Sequence, residues 1–309
     1  MLTDILNDLS TRYQATLRLN PIGSWVGLGR SILATGTFLT LLTNSSETLF
    51  PKAEAVKITS SFLVDYSLFF LLENNLLLAQ AIAITILILV IIGYRPRYTG
   101  ILHWYVSFSF FSACTVIDGG DQVNGVLCFL LIPLTLLDDR KWHWDMREDF
   151  NEKQITKVIN SIRWSFVWLI RIQVSVIYLH AAVAKLKVFE WQNGTAVYYW
   201  FNHHYHGASS VFKPLIMLLT SNSVLVVLMS WGTILLEFML FTAVVLNPNS
   251  LRRRTLLFAG IAFHFAIVIV HGLISFYFTM VGALILYLAN HSTDFQLKPL
   301  KQNLKWKLS

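Results

Sequence analysis

The chain has 309 residues, 55% of them hydrophobic and only 13% charged, with a mean hydropathy of +0.57. A soluble domain carries about 25% charged residues, so the composition excludes an ordinary soluble enzyme and predicts an all-α, polytopic membrane bundle. The net charge of +7 then reports membrane topology rather than a nucleic-acid footprint, and two cysteines, Cys114 and Cys128, cannot build a disulfide framework.

In chain order, residues 1–20 hold Asp4, Asp8, Arg12 and Arg18 with no continuous apolar core, so no cleavable signal peptide is expected. Leu2, Ile5, Leu6, Leu9, Tyr13 and Leu17 recur at steps of three and four and predict an amphipathic interfacial helix over 1–20. About 20 apolar residues cross the hydrocarbon. On that measure the transmembrane domain, 21–291, holds eight helices at 24–43, 75–93, 100–117, 122–138, 160–184, 223–246, 255–271 and 273–290. Gly93-Tyr-Arg-Pro96, Asp118-Gly-Gly-Asp121 and Asn247-Pro-Asn-Ser250 interrupt the apolar runs between them. Segment 61–73 is broken by Asp65 and is expected to pack at the interface, as is the Trp142- and Trp144-bearing segment 139–158. Gly23-Ser-Trp-Val-Gly27 fits small-xxx-small helix packing. Residues 292–309 form a basic cytoplasmic tail.

Orientation follows from the cations. With the N-terminus inside, sixteen of the 24 Lys and Arg residues fall on cytoplasmic segments, against five outside: Lys52, Lys57, Lys185, Lys187 and Lys213. The positive-inside rule therefore predicts that both termini are cytoplasmic and that Lys185 lies at the outer face.

Three helices carry polar stripes. Arg171, Ser175, Tyr178, Ala182 and Lys185 follow steps of 4, 3, 4 and 3 and line one face over about 21 Å. His103, Ser107, Cys114 and Asp121 form a second stripe, and His264 and His271, seven apart, share a face. Glu237 near mid-membrane needs a cation, and Arg171 and Arg30 stand at compatible depth. Either a structural Glu–Arg clamp or a polar cavity open to the outer side accounts for it. Lys185 ends an apolar helix, where desolvation favours a neutral amine and makes it a candidate base; the alternative is a lysine that snorkels to the headgroups. Cys114 and Cys128 flank the Asp118 turn as a candidate redox pair, the alternative being ordinary buried thiols. His203, His204 and His206 cluster on an outer loop without an acidic or cysteine partner, so no metal site is expected. No phosphate-binding glycine loop or nucleophile elbow is present.

Tyr178…Ala181-Ala-Val-Ala-Lys185-Leu with Trp191…Gly194 resembles the signature of the vitamin K-dependent gamma-carboxylase superfamily, whose bacterial members are called HTTM (horizontally transferred transmembrane) proteins. Asp118-Gly-Gly-Asp121-Gln, after a helix with His103-Trp104, and Phe263-His264…His271-Gly-Leu…Phe276 are similar to further motifs of that group. Asn20-Pro-Ile-Gly-Ser-Trp-Val-Gly-Leu-Gly-Arg30-Ser-Ile-Leu-Ala resembles the opening of the sporulation-delaying protein B family, membrane proteins of peptide-toxin maturation systems. The likeness spans roughly residues 15–290. It implies that Lys185 deprotonates a reduced quinone, with Tyr178, His264 and Asp121 as further catalytic candidates and Arg171, Glu237 and His103 as cofactor-pocket candidates. Two positions depart from the carboxylase pattern: Asp121 stands where that enzyme has a histidine, and Ala184 precedes the lysine. The expected function is a cell-membrane protein that matures or exports a secreted peptide toxin, working on a precursor peptide with a second small protein. A quinone- or lipid-dependent enzyme on another substrate, and a non-catalytic channel, immunity or assembly protein, are the alternatives.

Overall fold

The computed structural model describes residues 17–50, 64–146, 154–204 and 207–290. The stripe over 1–16, part of the predicted interfacial segments, His206 and the basic tail lie outside the described residues. The described chain is helical: α1 (Ser24–Thr43), α2 (Ser46–Leu49), α3 (Leu68–Leu71), α4 (Leu76–Ile91), α5 (Pro96–Ala113), α6 (Gly119–Leu136), α7 (Gln154–Lys185), α8 (Phe189–Gln192), α9 (Ala196–Phe201), α10 (Lys213–Thr220), α11 (Ser223–Thr242), α12 (Leu251–His271) and α13 (Ile274–Leu288). The eight long helices stand at the eight apolar periods: α1 matches 24–43 at both ends, and the other seven differ by up to six residues at one or both ends.

Local chemistry sets the boundaries. Pro96 opens α5 at a position where its missing N–H costs nothing. The side chains of Asp118 and Asp121 form a capping box that starts α6. Gly272, at φ +71°, ends α12 in the left-handed region. Val64–Tyr66 is a single 3-10 turn and Leu68–Leu71 one helical turn, so the part of 61–73 that is described does not span.

Among the described residues, six helical stretches are long and apolar enough to cross a bilayer: Ser24–Thr43, Glu73–Ile91, Gly119–Leu136, Gln154–Lys185, Ser223–Val245 and Leu251–His271. The chain is thus an all-helical, multi-pass membrane protein. The other two long helices differ for physical reasons. Helix α5 buries Thr99, His103, Ser107 and Ser109 among its neighbours, which lowers its apolarity. Helix α13 has 15 residues and rises only about 22 Å.

Helix α13 is the centre of the bundle, with every residue from Thr279 to Leu288 buried. It meets α1 at a close backbone approach. A Cβ on Gly29 would lie 2.7 Å from the Leu286 side chain, and one on Gly282 would lie 3.0 Å from the Gly29 carbonyl. Small-residue packing is therefore present, but through Gly29 and Gly282 rather than through Gly23 and Gly27.

Gly27 serves a different contact. The segment after α6 folds back so that His143, 2% exposed, inserts its ring against Gly27 and Gly93. Backbone bonds from Arg95 N to Lys141 O and from His143 N to Gly93 O pin this plug, and Trp144 Nε1 donates to Ile92 O. The described part of 139–158 is thus a built connection, not only a surface anchor. Burial, with Arg30 and Arg140 nearby, pushes the His143 imidazole down to about 2, so it is neutral at physiological pH. A Cβ on Gly93 would sit 2.4 Å from His143 Cδ2, at a φ of +84° that strains any L side chain. Gly93→Ala should cost about 3 kcal/mol of stability, from overpacking plus backbone strain. Adding His143→Ala should return the steric share only, and thermal unfolding in detergent separates the two. Equal stability of Gly93→Ala and the native chain would refute the plug.

Candidate functional site

A cavity of about 640 Å³ opens among α7, α11, α12 and α13, with Trp191 of α8 and Val197, Trp200 and Phe201 of α9 adding walls. Its lining is mostly apolar, including Ile177, Met229, Phe263, Ile267, Phe276 and Met280. Helical spacing brings the polar exceptions inward. Tyr178 and Lys185 lie two turns apart on α7, His264 and His271 two turns apart on α12, and Glu237 shares the buried face of α11 with Ser230 and Ile234.

These exceptions form two couples. Lys185 Nζ donates to both carboxylate oxygens of Glu237, at 2.7 and 2.9 Å. It also lies 5.3 Å from the Trp191 ring centroid, a cation–π distance. The Glu237 side chain is 6% exposed and that of Lys185 21%. Deeper in, the Tyr178 hydroxyl and His264 Nε2 share a hydrogen bond of 3.0 Å. His264 Nδ1 is buried without a hydrogen-bond partner among the described residues, an atom that a bound polar group would satisfy.

The ion pair corrects one expectation. The sequence matches Glu237 to Arg171 or Arg30, yet the carboxylate takes Lys185. Arg171 lies about 21 Å down α7 from Lys185, below the carboxylate's reach, with its guanidinium 5.3 Å from the Trp168 ring. Arg30 Nη2 instead donates to Thr99 Oγ1 at 2.7 Å. Periodicity within single helices fixes which face a residue occupies. It cannot say that the end of α7 and the middle of α11, 52 residues apart, sit at the same depth.

Of the predicted site residues, Lys185, Tyr178, His264 and Glu237 converge on the cavity, and Arg171, His103 and Asp121 do not line it. The Asp121 carboxylate accepts from Asp118 N at 2.9 Å and completes the α6 cap, while its neighbours Gly119 and Val123 face the cavity. His103 belongs to a separate polar column between α1, α5 and α6. There its ring nitrogens lie 3.5 and 3.6 Å from Cys128 Sγ, and Asn124 Nδ2 donates to Thr37 Oγ1 at 3.0 Å. Cys114 Sγ faces Val116 O instead, so the two free thiols keep different partners and the redox pair is not formed. No cluster of three metal-ligating side chains occurs among the described residues. Sequence reasoning missed His180, Trp200, Gly232 and Thr233 in the lining. Trp200 and Phe201 carried a signal as part of an aromatic run, and they stand edge-on to His271 at 6.5 and 5.9 Å.

No family model matches the chain, and no solved structure matches it. The resemblance to the gamma-carboxylase superfamily therefore rests on its short motifs. Two curated relatives from Bacillus subtilis (strain 168) cover nearly all of it. The uncharacterized protein YitO is 40% identical over 280 residues, 90% of this chain and 89% of the relative. The sporulation-delaying protein SdpB is 36% identical over 278 residues, 87% of this chain and 82% of the relative.

Proposed function

The chain belongs to the family of the sporulation-delaying protein SdpB, and from that membership we propose that it is a cell-membrane protein that matures or exports a secreted peptide toxin. Its chemical step would centre on Lys185 at the outer face. The observation that carries this reading is the Lys185–Glu237 pair set in an apolar cavity beside the Tyr178–His264 couple. Intramembrane ionisable groups are costly and are retained chiefly for function. The bilayer, a secreted precursor peptide and a second small maturation protein are the partners. The decisive experiment is mass spectrometry of the secreted peptide from cells with and without this protein. An unchanged peptide mass and amount in its absence would overturn the reading.

The cavity residues fit a reduced quinone, the group that the carboxylase resemblance implies. The aromatic walls suit a ring and an isoprenoid tail, and the unpartnered His264 Nδ1 and Lys185 offer two polar contacts. When bound, such a group would supply an acidic O–H and reducing equivalents. Lys185 and Trp191 would hold its head, while the apolar lining would exclude water. This fit favours one second reading, a quinone- or lipid-dependent enzyme acting on a substrate other than a toxin.

All eight long helices cross the membrane in this reading, with α5 and α13 sheltered by their neighbours and both termini cytoplasmic. The sixteen-to-five distribution of cations supports it. An impermeant thiol reagent should modify Asn202→Cys and spare Asn249→Cys in intact cells. Both positions are exposed, and the native cysteines are buried and give little background. The reverse labelling would overturn the orientation, and modification of both would overturn the number of crossings.

A further inference from the structure

The Lys185–Glu237 pair has a property that a simple anchor would not need. Both carboxylate oxygens hold one ammonium, so the pair is neutral as a unit, and it faces an apolar cavity rather than bulk water. The two partners are unequally covered: Glu237 is almost fully buried, while Lys185 keeps about a fifth of its side-chain surface open. Its other polar contact is long, 3.5 Å to the Ala181 carbonyl. No other ion pair to Glu237 is present among the described residues. The remaining titratable groups of the cavity are Tyr178, His180, His264 and His271.

We propose that Glu237 is the proton acceptor for Lys185, and that filling the cavity with an apolar group is what turns Lys185 into a base. The step is internal to the chain. An Nζ–H bond of Lys185 breaks, the electron pair stays on nitrogen, and an O–H bond forms on Glu237. An ammonium–carboxylate pair becomes an amine–carboxylic acid pair with no net charge moved out of the site. Water in the cavity favours the charged form, because the open side of the ammonium is solvated. An apolar occupant removes that water, and two charges in low dielectric then cost more than their neutral counterparts. The base is thereby generated only when the site is occupied, which keeps a reactive amine from forming in the empty protein. The proposal rests on the reading of Lys185 as a base and assigns the carboxylate that controls it.

Gly232 makes the filling step testable without any ligand. It lines the cavity, and a Cβ built on it meets nothing within 4 Å. In the full-length protein in nanodiscs, Gly232→Phe should give an additional protonated-carboxyl stretch in the infrared spectrum, over any band of the native chain. Gly232→Phe combined with Glu237→Gln should lose it. Separately, brief acetylation with acetic anhydride, read by mass spectrometry against Lys187 and Lys213, reports how much of Lys185 is neutral amine. Glu237→Gln should speed acetylation of Lys185 by about tenfold or more, the scale set by losing a directly bonded counter-charge in a buried site. Glu237→Asp, which keeps the carboxylate, should stay near the native rate and exclude misfolding as the cause. An unchanged rate in Glu237→Gln, a missing band in Gly232→Phe, or a band that survives Glu237→Gln would each overturn the proposal. None of these readouts depends on toxin production, so their failure would leave the maturation reading standing.

Discussion

Lys185→Ala is expected to abolish the mature secreted peptide, because a positioned general base contributes about 10²–10⁴ in rate and, among the described residues, no other amine lies in the cavity lining. Lys185→Arg should fail as fully, since a guanidinium keeps the charge and the contact with Glu237 but does not give up its proton. Lys187→Ala should leave the product unchanged, as Lys187 is outside the lining. Removing Lys185 also leaves the Glu237 carboxylate buried beside an apolar wall, and breaking a buried pair costs about 3–5 kcal/mol. Loss of product from Lys185→Ala alone would therefore mix chemistry with stability. The double substitution Lys185→Met with Glu237→Leu separates them: it removes both charges at similar volume, so the fold should recover while the product stays absent. If Lys185→Arg gives the native product at the native level, the ion pair is a structural clamp and the chemical reading falls.

The helices were legible in the sequence because their signal is local. Apolar runs of the right length act within a few residues, and so do Pro96 and the Asp118–Asp121 pair, which read in the sequence as interruptions and open α5 and α6 in the structure. The stripe from Arg171 to Lys185 was legible for the same reason: it needs only the pitch of one helix. Which stripes meet was not legible. That depends on the tilt and depth of α7 against α11, set by packing around α13, and no spacing within a helix encodes it. Hence Lys185 and Glu237 are both singled out by the sequence, yet Glu237 is matched there to Arg171 or Arg30 and Lys185 to no partner. His143 was hidden for another reason. Its burial depends on two glycines, Gly27 and Gly93, that are 66 positions apart and read locally as helix-packing and turn residues. The relatives locate the family, while the cavity and its two couples come from the three-dimensional arrangement alone.

Arg253→Met should be among the most destabilising single changes outside the cavity. The arginine is 1% exposed, and its guanidinium donates to three backbone carbonyls: Leu288 at 2.9 Å, Tyr287 at 2.6 Å and Leu246 at 3.0 Å. The last carbonyls of a helix have no partner within it, and a cation there also complements the helix dipole. Arg253 of α12 thus caps the end of α13, which packs against α1, α6, α7 and α12, and ties it to the segment after α11. Met nearly fills the space but offers no donor, so two buried carbonyls and the part-buried one of Leu246 lose their partner at about 1–3 kcal/mol each, less whatever water recovers. A net loss of about 3–5 kcal/mol is expected. Arg253→Lys should recover only a fraction, because one ammonium cannot reach three diverging acceptors as a planar fork does. Arg252→Ala and Arg254→Ala, at exposed neighbouring positions, should stay within about 0.5 kcal/mol of the native chain. Thermal unfolding of all four variants in one detergent measures the set. The far end of α13 holds Ser275, whose hydroxyl donates to Asp118 Oδ2 at 2.9 Å, and supplies Phe276 and Met280 to the cavity. Loosening its capped end should therefore lower toxin output as well, in proportion to the folded fraction rather than by changing the chemistry. If Arg253→Met proves as stable as Arg252→Ala, the carbonyl clamp contributes nothing and α13 is held by packing alone.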